Sequence, residues 1–290
     1  MKAQKIQRAI LFINHRKEHA KTLADEIINT LDSINIKSDI FSSRGKIDST
    51  GKNNYDVAIS LGGDGTVLST ARAMSPKKTP IFPVNLGTFG FIAGVQVSQW
   101  REVFDLYLGG KASLSRRLML EVSCERKGTT IKLGNCLNEV VISSPGVARL
   151  INLRVCYCDK RNGETLELGH YRADGLIIST PTGSTAYSAA AGGPIVDPEL
   201  EAIILNSICP FTLTHRPLLL PIEETLKIEV DGKEQKGVLL TIDGQVTEKL
   251  KGGDKIYIKK APYPCLLIAS GRKGFFQALR TKLAWTGSNA

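Results

Sequence analysis

The sequence lacks the features of a membrane-spanning, secreted or disulfide-rich protein. No apolar run approaches the roughly twenty residues that a membrane helix requires, and the apolar stretch after Met1–Lys5 is too short for a secretory signal. The six cysteines never occur in CxxC spacing, so we expect them to be reduced and mostly buried. These absences predict a cytoplasmic protein without a membrane partner.

Long basic tracts, abundant aromatics and a Walker A motif are also missing. The 38 basic residues exceed the 28 acidic ones and give a formal charge of +10, which predicts an anionic partner. The basic residues are dispersed and only 6% of the chain is aromatic, so nucleic acid is disfavoured. Gly45-Lys46 and Gly51-Lys52 lack the spacing of a phosphate-binding P-loop.

One pattern suggests a metal site. Residues 15–19 satisfy the H-x-x-E-H motif of some zinc peptidases. Arg16, Lys17 and Lys21 would repel a cation, so we interpret this stretch as a solvated helix start and predict no metal site.

The order of the patterns predicts two domains within the 290 residues. Apolar runs alternate with amphipathic helical stripes as far as residue 114, which predicts a parallel-sheet α/β domain over 1–114. Strand patterns and polar turns dominate residues 115–270, which predicts a second, β-rich domain. The helical spacing of Phe275, Leu279 and Leu283 predicts that residues 271–290 pack back on the first domain.

A glycine-rich turn, Gly62-Gly63-Asp64-Gly65-Thr66, separates a predicted strand from a predicted helix. Its three glycines let backbone N–H groups approach a phosphate at the helix N-terminus. Asp64 would then handle a hydroxyl proton or a metal ion beside that phosphate. The alternative is that Asp64 only forms the turn. A second glycine turn, Asn85–Phe91, follows the next strand, so both turns should lie at one edge of a parallel sheet.

The hydroxyl-rich segment Thr180–Ser188 follows an apolar strand in the second domain. Its hydroxyls and N–H groups suit phosphate or ribose, and Tyr187 suits a base, although a capped helix with surplus hydroxyls is the alternative. The polar pair Asn138-Glu139 interrupts another apolar strand. From spacing alone, solvent exposure explains such a pair better than a site does.

Together these motifs resemble the NAD kinase family, and the resemblance spans roughly residues 9–275. It rests on the following segments: Gly62–Thr66, Asn85–Phe91, Asn138-Glu139, Asp174-Gly175, Thr180–Ser188 and Asp243-Gly244-Gln245. The glycine turn alone is also found in lipid kinases, whereas the Thr180–Ser188 segment with the Asn-Glu pair is specific. Phe89 stands where the family more often has leucine.

The resemblance implies an N-terminal α/β domain, a C-terminal domain of stacked β-strands and an active site in the cleft between them. It implies transfer of a phosphoryl group from ATP or polyphosphate to the adenosine ribose 2′-hydroxyl of NAD, yielding NADP. Mg²⁺ would come with the phosphate donor. Family members are homodimers or homotetramers.

The resemblance also implies roles for individual residues. Asp64 would be the catalytic group that accepts or orients the hydroxyl proton. Nucleotide binding would fall to Gly62, Gly63, Gly65, Thr66, Asn138, Glu139, Asp174, Thr182, Thr185, Ala186, Tyr187, Ser188, His215, Arg216 and Gln245.

Two other functions fit parts of the sequence. A lipid kinase would share the glycine turn but would have no use for the Thr180–Ser188 segment. A dinucleotide-sensing protein would bind NAD or NADP yet tolerate the loss of Asp64.

Overall fold

The computed structural model describes residues 6–14, 17, 19–41, 54–87, 90–144, 146, 149–159, 163–232, 235 and 237–284. Its strand–helix alternation up to residue 117 and its strand-rich middle confirm the predicted fold class. No helix within these ranges combines the length and the apolar character needed to cross a membrane.

The regular elements follow one another along the chain. In order they are β1 (Arg8–Ile13), α1 (Ala20–Ser33), β2 (Lys37–Phe41), β3 (Val57–Gly62), α2 (Asp64–Met74), β4 (Ile81–Asn85), β5 (Val95–Gln96), α3 (Trp100–Leu108), β6 (Leu114–Arg117), β7 (Leu120–Arg126), β8 (Thr129–Cys136), β9 (Glu139–Ser143), β10 (Ile151–Cys158), β11 (Thr165–Ser179), α4 (Tyr187–Ala190), β12 (Ala202–Pro210), β13 (Leu218–Pro221), β14 (Thr225–Val230), β15 (Leu239–Ile242), β16 (Val246–Lys249), β17 (Lys255–Lys260), β18 (Cys265–Ile268) and α5 (Arg272–Lys282). Short 3₁₀ turns cover Ser75–Lys77, Val97–Gln99 and Thr182–Thr185.

The first sheet has the strand order β2-β1-β3-β4-β18-β6, and β5 pairs with β4. All its pairings are parallel except that of β6 with β18. Every residue of β3 is buried, as expected of a parallel strand covered on both faces. The apolar stripes of α1 and α3 join β1, β3 and β4 in one core, and α2 contacts β3 and β4.

The second sheet is antiparallel throughout the described residues. Its main path runs β16-β15-β9-β11-β10-β14-β17-β7-β8, and β12 and β13 extend from β11. Burial alternates along strands such as β14, because one face of each strand packs on a single apolar core.

The compact units divide the chain at slightly different positions from the predicted domains. One unit contains the residues up to Arg117 together with those from Tyr263, and the other contains Leu118–Pro262. The sequence prediction places the boundaries after residues 114 and 270. The difference arises because β6 and β18 pair with each other in the first sheet. Phe275 of α5 packs near Phe91, with ring centroids 6.4 Å apart, and the residues from Tyr263 belong to the first compact unit.

Several expectations differ from the structure or lie outside the described residues. The apolar run from Gly175 to Thr180, which the sequence pattern predicts to be a strand, forms the last part of β11 as far as Ser179, and this strand begins at Thr165. Six short or irregularly patterned strands are not predicted: β5, β6, β12, β13, β16 and β18. Most of the H-x-x-E-H pattern (His15, Arg16 and Glu18), almost all of the predicted loop 42–54, and Thr88 and Phe89 of the second glycine turn lie outside the described residues.

Candidate functional site

The glycine-rich turn lies at the topological switch point of the first sheet. The chain passes from β1 to β2 on one side and then to β3 on the other, and open α/β sheets bind ligands at the carboxyl ends of strands at such a reversal. The turn Gly62–Gly65 directly follows β3. At the end of β1, the Asn14 N–H donates to the Leu61 carbonyl oxygen at 3.0 Å.

The glycines of this turn serve different purposes. A Cβ at Gly62 would lie 2.7 Å from Thr66 Cβ, so this glycine makes room for the Thr66 side chain. At Gly63, no other heavy atom of the described residues lies within 4 Å of a built Cβ. Gly65 is exposed in the first turn of α2. Gly63 therefore leaves open space at the N-terminus of α2, where helix geometry favours an anion.

The Asp64 carboxylate is hydrogen-bonded to the backbone at the last residue of the second glycine turn and at the two residues after it. Oδ2 accepts the N–H of Phe91 at 3.0 Å, and Oδ1 accepts those of Ile92 at 3.2 Å and Ala93 at 2.9 Å. A carboxylate oxygen accepts two hydrogen bonds, so Oδ2 keeps one acceptor position after these three bonds. Asp64 is half-buried, and among the hydrogen bonds of the described residues Oδ2 accepts one fewer than Oδ1.

Gly90 allows this arrangement. A Cβ at Gly90 would lie 2.9 Å from Asp64 Cγ and closer still to Oδ1. Backbone and carboxylate approach each other more closely here than any side chain would permit. This role of Gly90 could not be predicted from the sequence, because no local pattern connects residues 64 and 90.

Both glycine turns meet at the same edge of the sheet, as predicted. The Leu86 N–H donates to the Gly62 carbonyl oxygen at 2.9 Å, and the buried Asn85 side chain accepts the Gly87 N–H at 2.9 Å. The Lys17 ammonium lies 3.6 Å from the position of a Cβ on Gly87. Lys17 therefore places a cation at the edge of the site. The sequence pattern predicts only that this residue would repel a metal ion, not that it lies here.

In the second unit, the Asn138-Glu139 pair is buried, with both residues 7% exposed. The interpretation of this pair as solvent-facing is wrong. The pair joins β8 to β9, and β9 lies between β11 and β15 in the sheet, so neighbouring strands cover it.

The Thr180–Ser188 segment packs directly on this pair. The Thr180 N–H donates to the Asn138 carbonyl oxygen at 2.8 Å. The Thr180 hydroxyl donates to the Leu137 carbonyl oxygen at 2.5 Å and accepts the Gly183 N–H at 3.1 Å. The Tyr187 backbone N–H is hydrogen-bonded to the Glu139 carboxylate. The segment forms a 3₁₀ turn followed by the short helix α4, and neither has a side-chain hydrogen bond at its N-cap, unlike the capped helix that is the alternative.

Four buried polar atoms in these two segments have no hydrogen-bond partner among the described residues. They are Asn138 Oδ1, Glu139 Oε2, Thr182 Oγ1 and Ser188 Oγ. Native proteins satisfy nearly all buried polar atoms, so each exception requires an explanation. Tyr187, beside them in sequence, keeps 45% of its surface exposed. A ligand with hydroxyl groups and a planar base suits this arrangement. The hydroxyls would form hydrogen bonds with the four polar atoms, and the base would stack on the exposed aromatic ring.

Asp243 fixes the Asn138-Glu139 pair from the turn between β15 and β16. Its Oδ1 accepts the backbone N–H groups of Leu137 at 3.1 Å and Asn138 at 2.8 Å. Burial, together with the Asp243 charge, raises the pKa of Glu139 to about 7, and the Tyr187 N–H opposes this shift. This role of Asp243 could not be predicted from local sequence patterns, because its hydrogen-bonded partners are about a hundred residues away in the chain.

Outside the Thr180–Ser188 segment, the other predicted site residues of the second unit lie on β11, in the loop before β13 and in the turn between β15 and β16. Asp174 is half-buried on β11, and its carbonyl oxygen accepts the Ser144 N–H at 3.2 Å. The His215 ring packs edge-on against Tyr171 at 4.6 Å between centroids, and the Arg216 guanidinium donates to the Leu213 and His215 carbonyl oxygens at 2.6 and 3.0 Å.

Gln245 is exposed at the end of the turn that contains Asp243. Thr185 and Ala186 are half-buried between Thr182 and Tyr187. A search of the described residues finds no group of three or more His, Cys, Asp or Glu side chains placed to hold a metal ion.

Comparison with known proteins identifies the family. Residues 3–112 match the family model described as ATP-NAD kinase N-terminal domain, and residues 137–270 match the ATP-NAD kinase C-terminal domain. The NAD kinase of Treponema denticola is 41% identical over 98% of this chain and 99% of its own length. That of Aquifex aeolicus is 37% identical over 97% of this chain and 100% of its own length.

Two solved structures share the fold. Yeast NADH kinase complexed with NADH has a TM-score of 0.86 at 24% identity, covering 98% of this chain and 89% of that one. An NAD kinase from Archaeoglobus fulgidus in complex with ATP has a TM-score of 0.71 at 24% identity, covering 94% and 96%. With both domain models matched over most of the sequence, the chain belongs to the NAD kinase family.

Proposed function

We propose that this protein is an NAD kinase that transfers the terminal phosphoryl group of ATP to the 2′-hydroxyl of the adenosine ribose of NAD, forming NADP. The observation that carries the proposal is the group of four partnerless polar atoms in Asn138, Glu139, Thr182 and Ser188. A dinucleotide supplies ribose hydroxyls and an adenine ring, which are the partners that these atoms and Tyr187 require.

Asp64 is the proposed catalytic residue. Phosphoryl transfer depends on positioning and charge neutralisation more than on covalent chemistry by the protein. The three backbone bonds hold the Asp64 carboxylate in one orientation and leave the second acceptor position of Oδ2 for the attacking hydroxyl. That oxygen orients the hydroxyl and accepts its proton as the new oxygen–phosphorus bond forms. The bond between the terminal phosphorus and the bridging oxygen of ATP breaks in the same step, and ADP leaves.

The phosphates of the donor are proposed to bind at the N-terminus of α2. Gly63 offers open space there, Gly62, Gly65 and Thr66 form the rest of the turn, and the helix N-terminus attracts negative charge. Mg²⁺ would enter as part of the donor complex, since nucleotide phosphates carry this ion with most of its waters. Polyphosphate presents the same repeating anion and is the alternative donor.

The second unit is proposed to bind the dinucleotide. Asn138 and Glu139 would bind adenine and ribose groups, and Asp174, Thr185, Ala186 and Gln245 would extend the pocket by family resemblance. His215 and Arg216 would contact the added phosphate. Arg216 is exposed, and its guanidinium donates to carbonyl oxygens of its own loop. An anion can therefore bind to this guanidinium without the cost of burying a charge.

We also propose that the protein forms a homodimer or homotetramer in the cytoplasm. Near β13, the side chains of Phe211, Leu213 and Leu219 are 65%, 87% and 49% exposed, which favours association through this part of the second unit. All six cysteines are free, as expected in a reducing compartment. Light scattering after gel filtration tests the assembly.

A coupled assay for NADP formation tests the activity. The purified protein receives NAD, Mg²⁺ and either ATP or polyphosphate, with Asp64→Asn measured in parallel. Turnover that requires Asp64 supports the kinase, and the faster donor identifies the phosphate source. If NAD binds tightly but neither donor yields NADP, the protein is a dinucleotide sensor instead.

A further inference from the structure

The turn between β15 and β16 is built around a buried carboxylate. Asp243 is only 5% exposed and adopts the left-handed conformation, with φ +50°. Gly244 follows with φ +62°, so two successive left-handed residues form the tight turn. This geometry directs the Asp243 side chain into the sheet, at the junction of β8 and β9.

Hydrogen bonds join Asp243 to that junction, and the Leu137 N–H is shared between the two carboxylate oxygens, lying 3.2 Å from Oδ2. Its Oδ1 accepts the N–H groups of Leu137 and Asn138 at 3.1 and 2.8 Å. Its own N–H donates to the Glu139 carbonyl oxygen at 2.9 Å. The Asn138-Glu139 dipeptide is thereby held at both ends, by the Asn138 N–H and by the Glu139 carbonyl oxygen, and an unmade bond to either buried group would be costly.

The same carboxylate also acts on Glu139 through its charge. In the part of the chain that the structure describes, Asp243 is the titratable group whose charge affects Glu139, and the Tyr187 N–H is the hydrogen bond that favours the ionised form. Glu139 Oε2 is buried and has no partner within the described ranges. The negative charge of Asp243 therefore disfavours ionisation of Glu139 and adds to the effect of burial.

We propose that Asp243 is a positioning residue of the dinucleotide site: it fixes the Asn138-Glu139 peptide, and its charge sets the protonation of Glu139 so that affinity for NAD depends on pH. This inference rests on the proposed function. An ionised Glu139 accepts hydrogen bonds from both hydroxyls of a ribose, whereas the protonated acid has fewer acceptor positions. Affinity should therefore rise as pH increases through about 7, the pKa of Glu139.

The test variant is Asp243→Asn. The amide oxygen of asparagine can accept both N–H bonds that Oδ1 now accepts, and only the longer bond from the Leu137 N–H to Oδ2 is lost. Most of the contacts that position Asn138 and Glu139 are therefore kept while the charge is lost. Asp105→Asn removes the same charge from an exposed position on α3 and serves as the matched control. The dissociation constant for NAD is measured by calorimetry between pH 5.5 and 8.5.

We expect the midpoint near pH 7 to move to lower pH in Asp243→Asn and to stay in place in Asp105→Asn. A shift of one pKa unit would tighten NAD binding at pH 6 by about fivefold, because more of Glu139 would be ionised there. Glu139→Gln should abolish the pH dependence in this range. Asp243→Ala should weaken binding at every pH, because the position of the peptide is lost as well.

Two results would overturn the inference alone: the same midpoint in Asp243→Asn as in the unmodified protein, or an unchanged pH dependence in Glu139→Gln. If Asp243→Asn does not fold, the Glu139→Gln titration still decides the matter. If the unmodified protein binds no NAD at any pH, the proposed function fails, and this inference fails with it.

Discussion

The Asp64 Oδ1 atom accepts the backbone N–H of Ala93 at 2.9 Å, across 29 positions of the chain. With the bonds from Phe91 and Ile92, it fixes the carboxylate before any substrate arrives. Preorganisation of this kind reduces the rearrangement needed during the reaction. Asp64 therefore has a structural and a proposed catalytic role, and experiments on it must separate the two.

Replacing Asp64 by asparagine should lower kcat more than NAD affinity. Loss of a group that accepts a proton in the transition state typically lowers the rate by about 10²–10⁴-fold. The amide also has one oxygen fewer, so the Phe91 N–H loses its acceptor, and unfolding should become easier by about 1 kcal/mol. Steady-state kinetics and urea denaturation measure the two effects. Loss of NAD binding with turnover retained would contradict the catalytic role.

Alanine at Gly63 and alanine at Gly90 should affect stability differently. Gly90→Ala places a methyl group against the Asp64 carboxylate, so both activity and stability should fall, the latter by about 1–3 kcal/mol. Gly63→Ala meets no neighbour in the described structure and should change the unfolding free energy by less than about 1 kcal/mol.

The informative measurement on Gly63→Ala is the KM for ATP. If the donor phosphates approach this glycine, the added methyl group should raise that KM at least several-fold while the thermal midpoint stays close to that of the unmodified protein. An unchanged KM would place the phosphates elsewhere.

Glu139→Gln should stabilise the protein at alkaline pH. The pKa of Glu139 is raised to about 7 from 4.5, so the folded state binds the proton more tightly than the unfolded state. The corresponding stability is present at low pH and is lost as pH rises through 7. At pH 8 the free energy of unfolding of the glutamine variant should therefore exceed that of the unmodified protein by up to about 3 kcal/mol. At pH 5 the two free energies of unfolding should differ little.

Glu125→Gln is the matched control for this pH dependence. Hydrogen bonds from Lys255 and Tyr257 lower the pKa of Glu125, so its stabilising contribution exists above its unfolded pKa. The variant should lose stability at pH 8 instead of gaining it. Urea denaturation at both pH values decides the sign, and destabilisation of Glu139→Gln at pH 8 would contradict the assigned pKa.

The two threonines of the hydroxyl-rich segment should respond differently to valine. The Thr182 hydroxyl is buried without a partner among the described residues, so Thr182→Val should keep or raise stability yet weaken NAD binding about tenfold. The Thr180 hydroxyl links Leu137 and Gly183, so Thr180→Val should cost about 1–3 kcal/mol of stability. Unaltered NAD affinity in Thr182→Val would exclude its hydroxyl from the site.

Local patterns in the sequence were sufficient to predict the two-part architecture and the glycine turn between β3 and α2. Apolar runs and helical stripes are local signals, so β1, β3, β4, α1 and α2 could be predicted within a few residues. Parallel strands also place their carboxyl ends at one edge, so the meeting of the two glycine turns followed from strand order. Strand β18 could not be placed, because its sheet is chosen by distant pairing with β4 and β6.

The burial of the polar site residues and their hydrogen-bond partners depend on contacts between distant parts of the chain, so they could be read only from the tertiary structure. Asn138-Glu139 is compatible with a solvent-facing position until β11 and β15 are seen on either side of β9. Asp243 becomes more than a turn residue only through its bonds to Leu137 and Asn138. Burial and hydrogen bonding of this kind join residues about a hundred positions apart, and local periodicity carries no information about such contacts.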